Sequence, residues 1–165
     1  MNIVPLSREH DRKKFDCGDE TVNSFLQKGA LQDQENRLSR TCVLIDETKD
    51  PKRIVGFHTL LLTVVDQEKI PGDRPKIRRK IPVVLIGQLG VDLEFQGRKN
   101  GELLLTDIEV RVAEVARTVG VRCLMLDARS ERLAAWYAMR DFERFPDSLR
   151  MFKSLQAIRR LVDAN

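Results

Sequence analysis

A mixed α/β sheet flanked by helices is the fold class that this sequence predicts, on three observations. Two apolar runs, TCVLI at 41–45 and RIVGFHTLLLTVVD at 53–66, flank the turn-forming DETKDPK and read as an antiparallel hairpin. Two more, PVVLIGQLGVD at 82–92 and VRCLMLDA at 121–128, are separated by a long helical pattern. A strand–helix–strand crossover of that kind makes its two strands parallel. The chain has 165 residues, 42% hydrophobic and 33% charged, which suits one domain over 1–165 with a sizeable core.

The elements follow in order. NIVPL at 2–6 is a short first strand. A helix follows the Cys17–Gly18 turn: Asp19 is placed to cap it, and Val22, Phe25, Leu26 and Ala30 recur at helical spacing. The hairpin comes next. His58 lies in its second strand, where it reads as a half-buried strand residue rather than a catalyst. Pro71, Pro75 and Pro82 punctuate a loop that carries RPKIRRK at 74–80. Gly87 and Gly90 interrupt the strand at 82–92; glycine there marks a bulge or a close approach by a ligand or another backbone. Leu104, Ile108, Val112, Val115 and Val119 set a helix over 102–119, ended by Gly120. SERLAAWYAMRDF begins a shorter helix with Ser130 as its cap. LRMFKSL at 149–155 is a last strand, and AIRRLVDA is expected to form a terminal helical turn.

Composition narrows the classes. No apolar run approaches the roughly 20 residues of a membrane span. The opening MNIVPLSREHDRKK turns polar too soon for a secretory signal, so no membrane association is expected and the cytoplasm is the expected location. There are three cysteines. Cys42 and Cys123 sit in apolar runs and are expected to be buried thiols, while Cys17 lies in a polar turn. The only histidines, His10 and His58, make no metal-ligand spacing with them, so no metal is expected. The net charge is +4, and Arg74, Lys76, Arg78, Arg79 and Lys80 crowd one acid-free run. Such a run is either a solvated loop or a surface for a phosphate-rich partner.

FQGRKNGELLL, residues 95–105, has the composition of an anion site. It joins a strand to a helix, whose first N–H groups lack intrahelical partners and whose dipole favours negative charge. Arg98 and Lys99 have the wrong sign for a bare helix N-terminus, at about 0.3–1 kcal/mol each, unless an anion is bound. Neither the P-loop GxxxxGK[ST] nor the dinucleotide fingerprint GxGxxG is present.

The spacing from Gln96 to Gly101 instead resembles Q/R-x-x-G-x-G/A, the pyrophosphate loop of the GNAT acetyltransferases. LGVDLEFQGR before the loop is similar to that family's strand–loop junction. LDARSERLAAWYAMRDF is similar to its following strand and its A-x-x-F/W-Y-x-x-x-G-F helix. LSREHDRKKFDCGDETVNSFLQKGALQD and FPDSLRMFKSL look like one branch in particular, the GNAT toxins of bacterial toxin–antitoxin pairs. The resemblance covers residues 6–155.

It implies the GNAT acyl-CoA N-acyltransferase fold, acetyl-CoA as co-substrate and the amine of aminoacyl-tRNA as acceptor. It also implies a ribbon-helix-helix antitoxin as partner and leaves room for a homodimer. The loop residues Gln96, Gly97, Arg98, Lys99, Asn100 and Gly101 would hold the pyrophosphate. Leu89 and Val91 would present backbone N–H groups to the pantetheine and the thioester. Tyr137, the only tyrosine, would act as acid to the leaving sulfur, where residue type alone favours a core aromatic. Ser130 would cap its helix, contact CoA, or both. Arg74, Lys76, Arg78, Arg79 and Lys80 would meet tRNA phosphates, with Arg159 and Arg160 as weaker candidates.

Two positions depart from the pattern. Lys99 replaces the second-to-last loop glycine, where its Cβ would crowd a phosphate or its ammonium would reach one. Asp141 replaces the glycine before Phe142, at a turn where Asp tolerates left-handed geometry.

An α-amine titrates at about 7.7–8.0, so a strong base is not required and none is nominated; Asp92 and Glu94 lie near the loop. Two alternatives stand beside this reading. One is a GNAT acetyltransferase for a protein or small-molecule amine, weakened because a polycation acceptor usually needs clustered acids and the chain has no strong acidic patch beyond DETKD. The other is a non-catalytic binding module impaired at Lys99.

Overall fold

The computed structural model describes residues 1–164. Seven strands form one mixed sheet in the order β1-β2-β3-β4-β5-β7-β6. They are β1 (Asn2–Pro5), β2 (Arg40–Asp46), β3 (Asp50–Asp66), β4 (Lys80–Val91), β5 (Cys123–Asp127), β6 (Glu143–Arg144) and β7 (Arg150–Ser154). The helices are α1 (Glu20–Ser24), α2 (Ala30–Glu35), α3 (Asn100–Val115), α4 (Glu131–Ala138) and α5 (Leu155–Asp163). By backbone contacts the chain divides into two compact units: Met1–Leu61 with Gly87–Ile108, and Leu62–Ile86 with Glu109–Asn165.

In the first unit β1 and β3 flank β2, both antiparallel to it, so the DETKDPK turn makes the expected hairpin. Asp19 caps α1 by accepting from the Thr21 and Val22 amides. A π-helical turn, Phe25–Gly29, links α1 to α2, a feature the apolar spacing does not announce. Val22, Leu26 and Ala30 bury one helical face against Leu6, Phe15, Val43, Ile45, Ile54 and Phe57. A second small cluster of Leu44, Val55 and Leu104 seats α3.

His58 is not half-buried. It is 1% exposed, with Nε2 2.6 Å from Asp107 Oδ2 on α3. A one-sided apolar pattern cannot announce a buried polar pair, because the partner lies 49 residues away.

In the second unit β4 and β5 are parallel, in register at Val84–Leu124 and Ile86–Leu126, as the crossover requires. β7 is antiparallel to β5, and the two-residue β6 extends that edge. Ile70, Ile81, Val83, Cys123, Met125 and Phe152 form one core cluster.

Helix α3 starts two residues before the expected 102 and ends at Val115, with a turn over 116–118 and a bend at 119 replacing helix. The terminal helical turn is a nine-residue helix, α5, capped by Ser154. Cys42 and Cys123 are buried thiols; burial pushes Cys123 up to about 11. Among the described residues no group of His, Cys, Asp and Glu could hold a metal ion, and no helix is long and apolar enough to cross a membrane.

Candidate active site

The first unit builds the anion loop from below. Asp92, 2% exposed, closes the end of β4 by accepting from the amides of Asp16 and Glu94, each at 3.1 Å, and from Arg53 at 3.1 Å. Its work is structural, which explains a carboxylate beside an anion site. Gln96 then turns back: its Nε2 donates to the Val91 carbonyl at 2.9 Å and to the Cys17 carbonyl at 3.1 Å. Asn100, 7% exposed, donates through Nδ2 to the Phe95 carbonyl at 2.8 Å. Both amide side chains are thus spent on backbone carbonyls that brace the loop.

That bracing leaves the main chain free. The first α3 hydrogen bond runs from the Leu103 amide to the Lys99 carbonyl at 3.1 Å. Among the described residues no acceptor meets the amides of Gly97, Arg98, Lys99, Asn100 or Gly101. Several unpaired N–H groups at the positive end of a 16-residue helix suit a phosphate. Arg98 and Lys99 are exposed and meet no carboxylate among the described residues; Arg98 lies over the Phe95 ring at 5.8 Å. A Cβ at Gly97 would have nothing within 4 Å, so space opens above the loop.

Lys99 adopts φ +62°, beside Gly97 at φ +73°. The lysine therefore makes the left-handed turn that glycine would make, and the loop keeps its course. That conformation costs a side-chain-bearing residue about 1–2 kcal/mol. Lys99→Gly is expected to relieve it, less about 0.4–1 kcal/mol for the freer unfolded chain. A net gain of about 0.5–1 kcal/mol should raise the melting temperature by about 2 °C. Affinity for acetyl-CoA, measured by calorimetry, should stay within about threefold, because RT ln 3 is below the strength of one charge-assisted hydrogen bond. A tenfold gain would show that the lysine side chain obstructs the loop.

Leu89 and Val91, on β4 beside the loop, are half-buried against the Leu44–Val55–Leu104 cluster. The strand glycines admit protein rather than ligand. A Cβ on Gly90 would stand 3.1 Å from Val22, one on Gly87 would stand 2.9 Å from Leu61, and one on Gly56 would strike the Gly90 carbonyl at 2.9 Å. Cys17 lies against Gly90, half-buried, and burial pushes its thiol up. It is therefore a protonated thiol and not an activated nucleophile.

The second unit holds the other sequence-derived candidates. Ser130 accepts from the Leu133 amide at 3.2 Å and caps α4. Tyr137 lies on the buried face of α4, its ring edge-on to Trp136 and Phe142 at 5.0 and 5.4 Å between centroids. Burial pushes its phenol up to about 12. Among the described residues nothing hydrogen-bonds its hydroxyl. Asp141 takes φ +64°, the left-handed turn expected of it.

The five cations of the basic run are exposed, but the run is less unopposed than its sequence suggests. Arg78 pairs with Glu68 at 3.1 Å and Lys80 with Asp66 at 3.3 Å, while Arg74 donates to the Asp73 carbonyl. Lys76 and Arg79 have no acidic partner among the described residues. Arg159 and Arg160 are exposed on α5.

Sequence reasoning named Asp92 and Asn100 at the loop but not their bracing contacts, and it missed Arg53 and a buried Lys153. The one available signal was a lysine inside the apolar run RMFKSL.

No family model matches the chain. A curated relative from Mycobacterium tuberculosis, described as a tRNA-acetylating toxin, is 31% identical over 95% of this chain and 93% of its own. AtaT complexed with acetyl-methionyl-tRNAfMet is similar in fold, with a TM-score of 0.87 and 24% identity over 98% of each chain. So is a tyrosine-to-phenylalanine mutant of AtaT bound to the C-terminus of the antitoxin AtaR and acetyl-CoA, with a TM-score of 0.81 and 23% identity over 98% of this chain and 97% of that one.

Proposed function

Since the chain belongs to the family of tRNA-acetylating GNAT toxins, we propose a division of labour among its residues for that reaction. The enzyme is an N-acetyltransferase that uses acetyl-CoA and acetylates the amine of aminoacyl-tRNA, which blocks translation. An antitoxin neutralises it. In our reading the antitoxin is of the ribbon-helix-helix class, the toxin is a homodimer, residues 1–165 act as one catalytic domain, and the work is done in the cytoplasm, where aminoacyl-tRNA is used.

The observation that carries the site is the run of unbonded amides from Gly97 to Gly101, held open by Gln96 and Asn100. These amides, that of Lys99 among them, would take the pyrophosphate of acetyl-CoA together with the Arg98 guanidinium. Leu89 and Val91 would line the pantetheine. The neutral amine attacks the thioester carbonyl, an N–C bond forms, the C–S bond breaks, and the amine's surplus proton ends on sulfur or water. A phenol near 12 keeps its proton at physiological pH and is a weaker acid than a thiol near 8.5. Tyr137 therefore acts as a standing hydrogen-bond donor to the departing sulfur, and full proton transfer is not required.

Acetyl-CoA titrated calorimetrically should bind at micromolar concentration. Transfer of radiolabelled acetyl to charged but not to uncharged bulk tRNA should follow. Binding without transfer would favour the binding-module reading, and transfer to protein or polyamine instead would move the acceptor.

The exposed basic run would meet the tRNA backbone. Neutralising Lys76 and Arg79 together, as Lys76→Gln with Arg79→Gln, should weaken tRNA binding and lower the magnitude of the slope of log K against log salt by about 1.5–2. An unchanged slope would place tRNA elsewhere.

A further inference from the structure

The turn that follows Tyr137 is held by a buried lysine. Lys153, in the middle of β7, is 1% exposed. Its Nζ donates to Glu109 Oε1 at 2.6 Å and to the Arg140 carbonyl at 2.9 Å, and lies 5.5 Å from the centroid of the Phe142 ring. An ammonium has three N–H donors, and a carboxylate, a carbonyl and an aromatic face are here to meet them. Glu109, on α3 and 7% exposed, balances the charge.

The lysine's partners converge on Tyr137. The amides of Arg140 and Phe142 both donate to the Tyr137 carbonyl, at 2.9 and 3.3 Å. The Phe142 ring meets the Tyr137 ring edge-on, and between Arg140 and Phe142 lies Asp141 at φ +64°. Arg140 stacks over Trp136 at 3.8 Å and donates to the Trp136 carbonyl. Residues 140–142 thus wrap the end of α4, and Lys153 grips that wrap at a carbonyl and at a ring.

Stability alone does not account for a buried ion pair, because apolar residues of similar volume often serve as well or better. Directed hydrogen bonds add one defined arrangement where apolar packing allows several. We propose that Lys153, neutralised by Glu109, is a positioning residue for Tyr137: it fixes the 140–142 turn and so sets the orientation of the phenol. This rests on the reading of Tyr137 as donor to the leaving sulfur.

The test compares the parent, Tyr137→Phe, the pair Lys153→Met with Glu109→Leu, and the triple variant. The pair removes both charges, keeps the volume close and strands neither charge, while the Arg140 carbonyl loses its donor. A second pair, Lys153→Gln with Glu109→Gln, serves if the apolar one does not fold. Acetyl transfer to bulk aminoacyl-tRNA is measured at saturating acetyl-CoA.

The pair is expected to melt cooperatively and to half-saturate at the parental acetyl-CoA concentration. Its rate should fall by about 10- to 100-fold. The near-ultraviolet circular dichroism of the single Trp136 and single Tyr137 should change with it. In the Tyr137→Phe background the pair should lower the rate no further. If Tyr137→Phe is inactive while the pair keeps the parental rate, or if the two losses multiply, the positioning role is overturned and the donor reading stands. If Tyr137→Phe keeps the parental rate, the donor reading falls and takes the positioning role with it.

Discussion

Tyr137→Phe is expected to lower acetyl transfer by about 10²–10³-fold, the range for losing one positioned hydrogen-bond donor to developing charge. Folding should be unaffected. The change removes one oxygen that makes no hydrogen bond among the described residues, and the edge-on contacts to Trp136 and Phe142 stay. Acetyl-CoA binding should also survive, because the loop amides do not involve this residue. Expression of the parent should arrest growth, and expression of the variant should not.

The pH profile offers an independent check. In the parent the rate should rise as the acceptor amine loses its proton near about 7.7–8.0 and then level off. No falling limb should come from Tyr137 below about pH 10, because burial holds the phenol near 12. The same shift has a sign for stability. The folded state holds this proton more tightly than the unfolded state, so its contribution is complete below the unfolded value near 10 and is lost as pH rises through about 12. A variant within threefold of the parental rate would remove Tyr137 from the mechanism.

Lys153→Ala is expected to be the most damaging single change to stability. It leaves Glu109 buried without its cation and the Arg140 carbonyl without its donor. Breaking one side of a buried pair costs about 3–5 kcal/mol. For a chain of this size that is a fall in melting temperature on the order of 10 °C. Replacing both partners with apolar residues should cost far less, and that contrast identifies the stranded charge as the cause. A fall of under 2 °C for Lys153→Ala would mean that water reaches Glu109.

Periodicity made the main elements legible. The 41–66 hairpin and the parallel pair across α3 depend on alternation, turn chemistry and crossover handedness, which are local or nearly so. The N-caps Asp19 and Ser130 were legible for the same reason: a cap and its amides lie within three residues of each other. The β6 strand was not, since two residues carry no period and form only because β7 is beside them. The limits of α3 shifted because the loop braces, rather than the apolar stripe, decide where a helix begins.

The site divides along the same line. Residue type and spacing by themselves determined that a glycine-bearing loop opens a helix at Gln96–Gly101, that Lys99 occupies a glycine position, and that one tyrosine sits in the WY helix. Only the tertiary structure decided how those residues act. It gave Gln96 to the carbonyls of Val91 and Cys17, the latter 79 residues away, and it left the Gly97–Gly101 amides bare. It let Lys99 keep the glycine turn, and it buried Lys153 against Glu109, 44 residues away. Periodicity and capping are written in neighbouring residues because neighbours share a helix turn or a strand face. A hydrogen bond between distant segments leaves no such trace, since its partners meet only after the chain has folded.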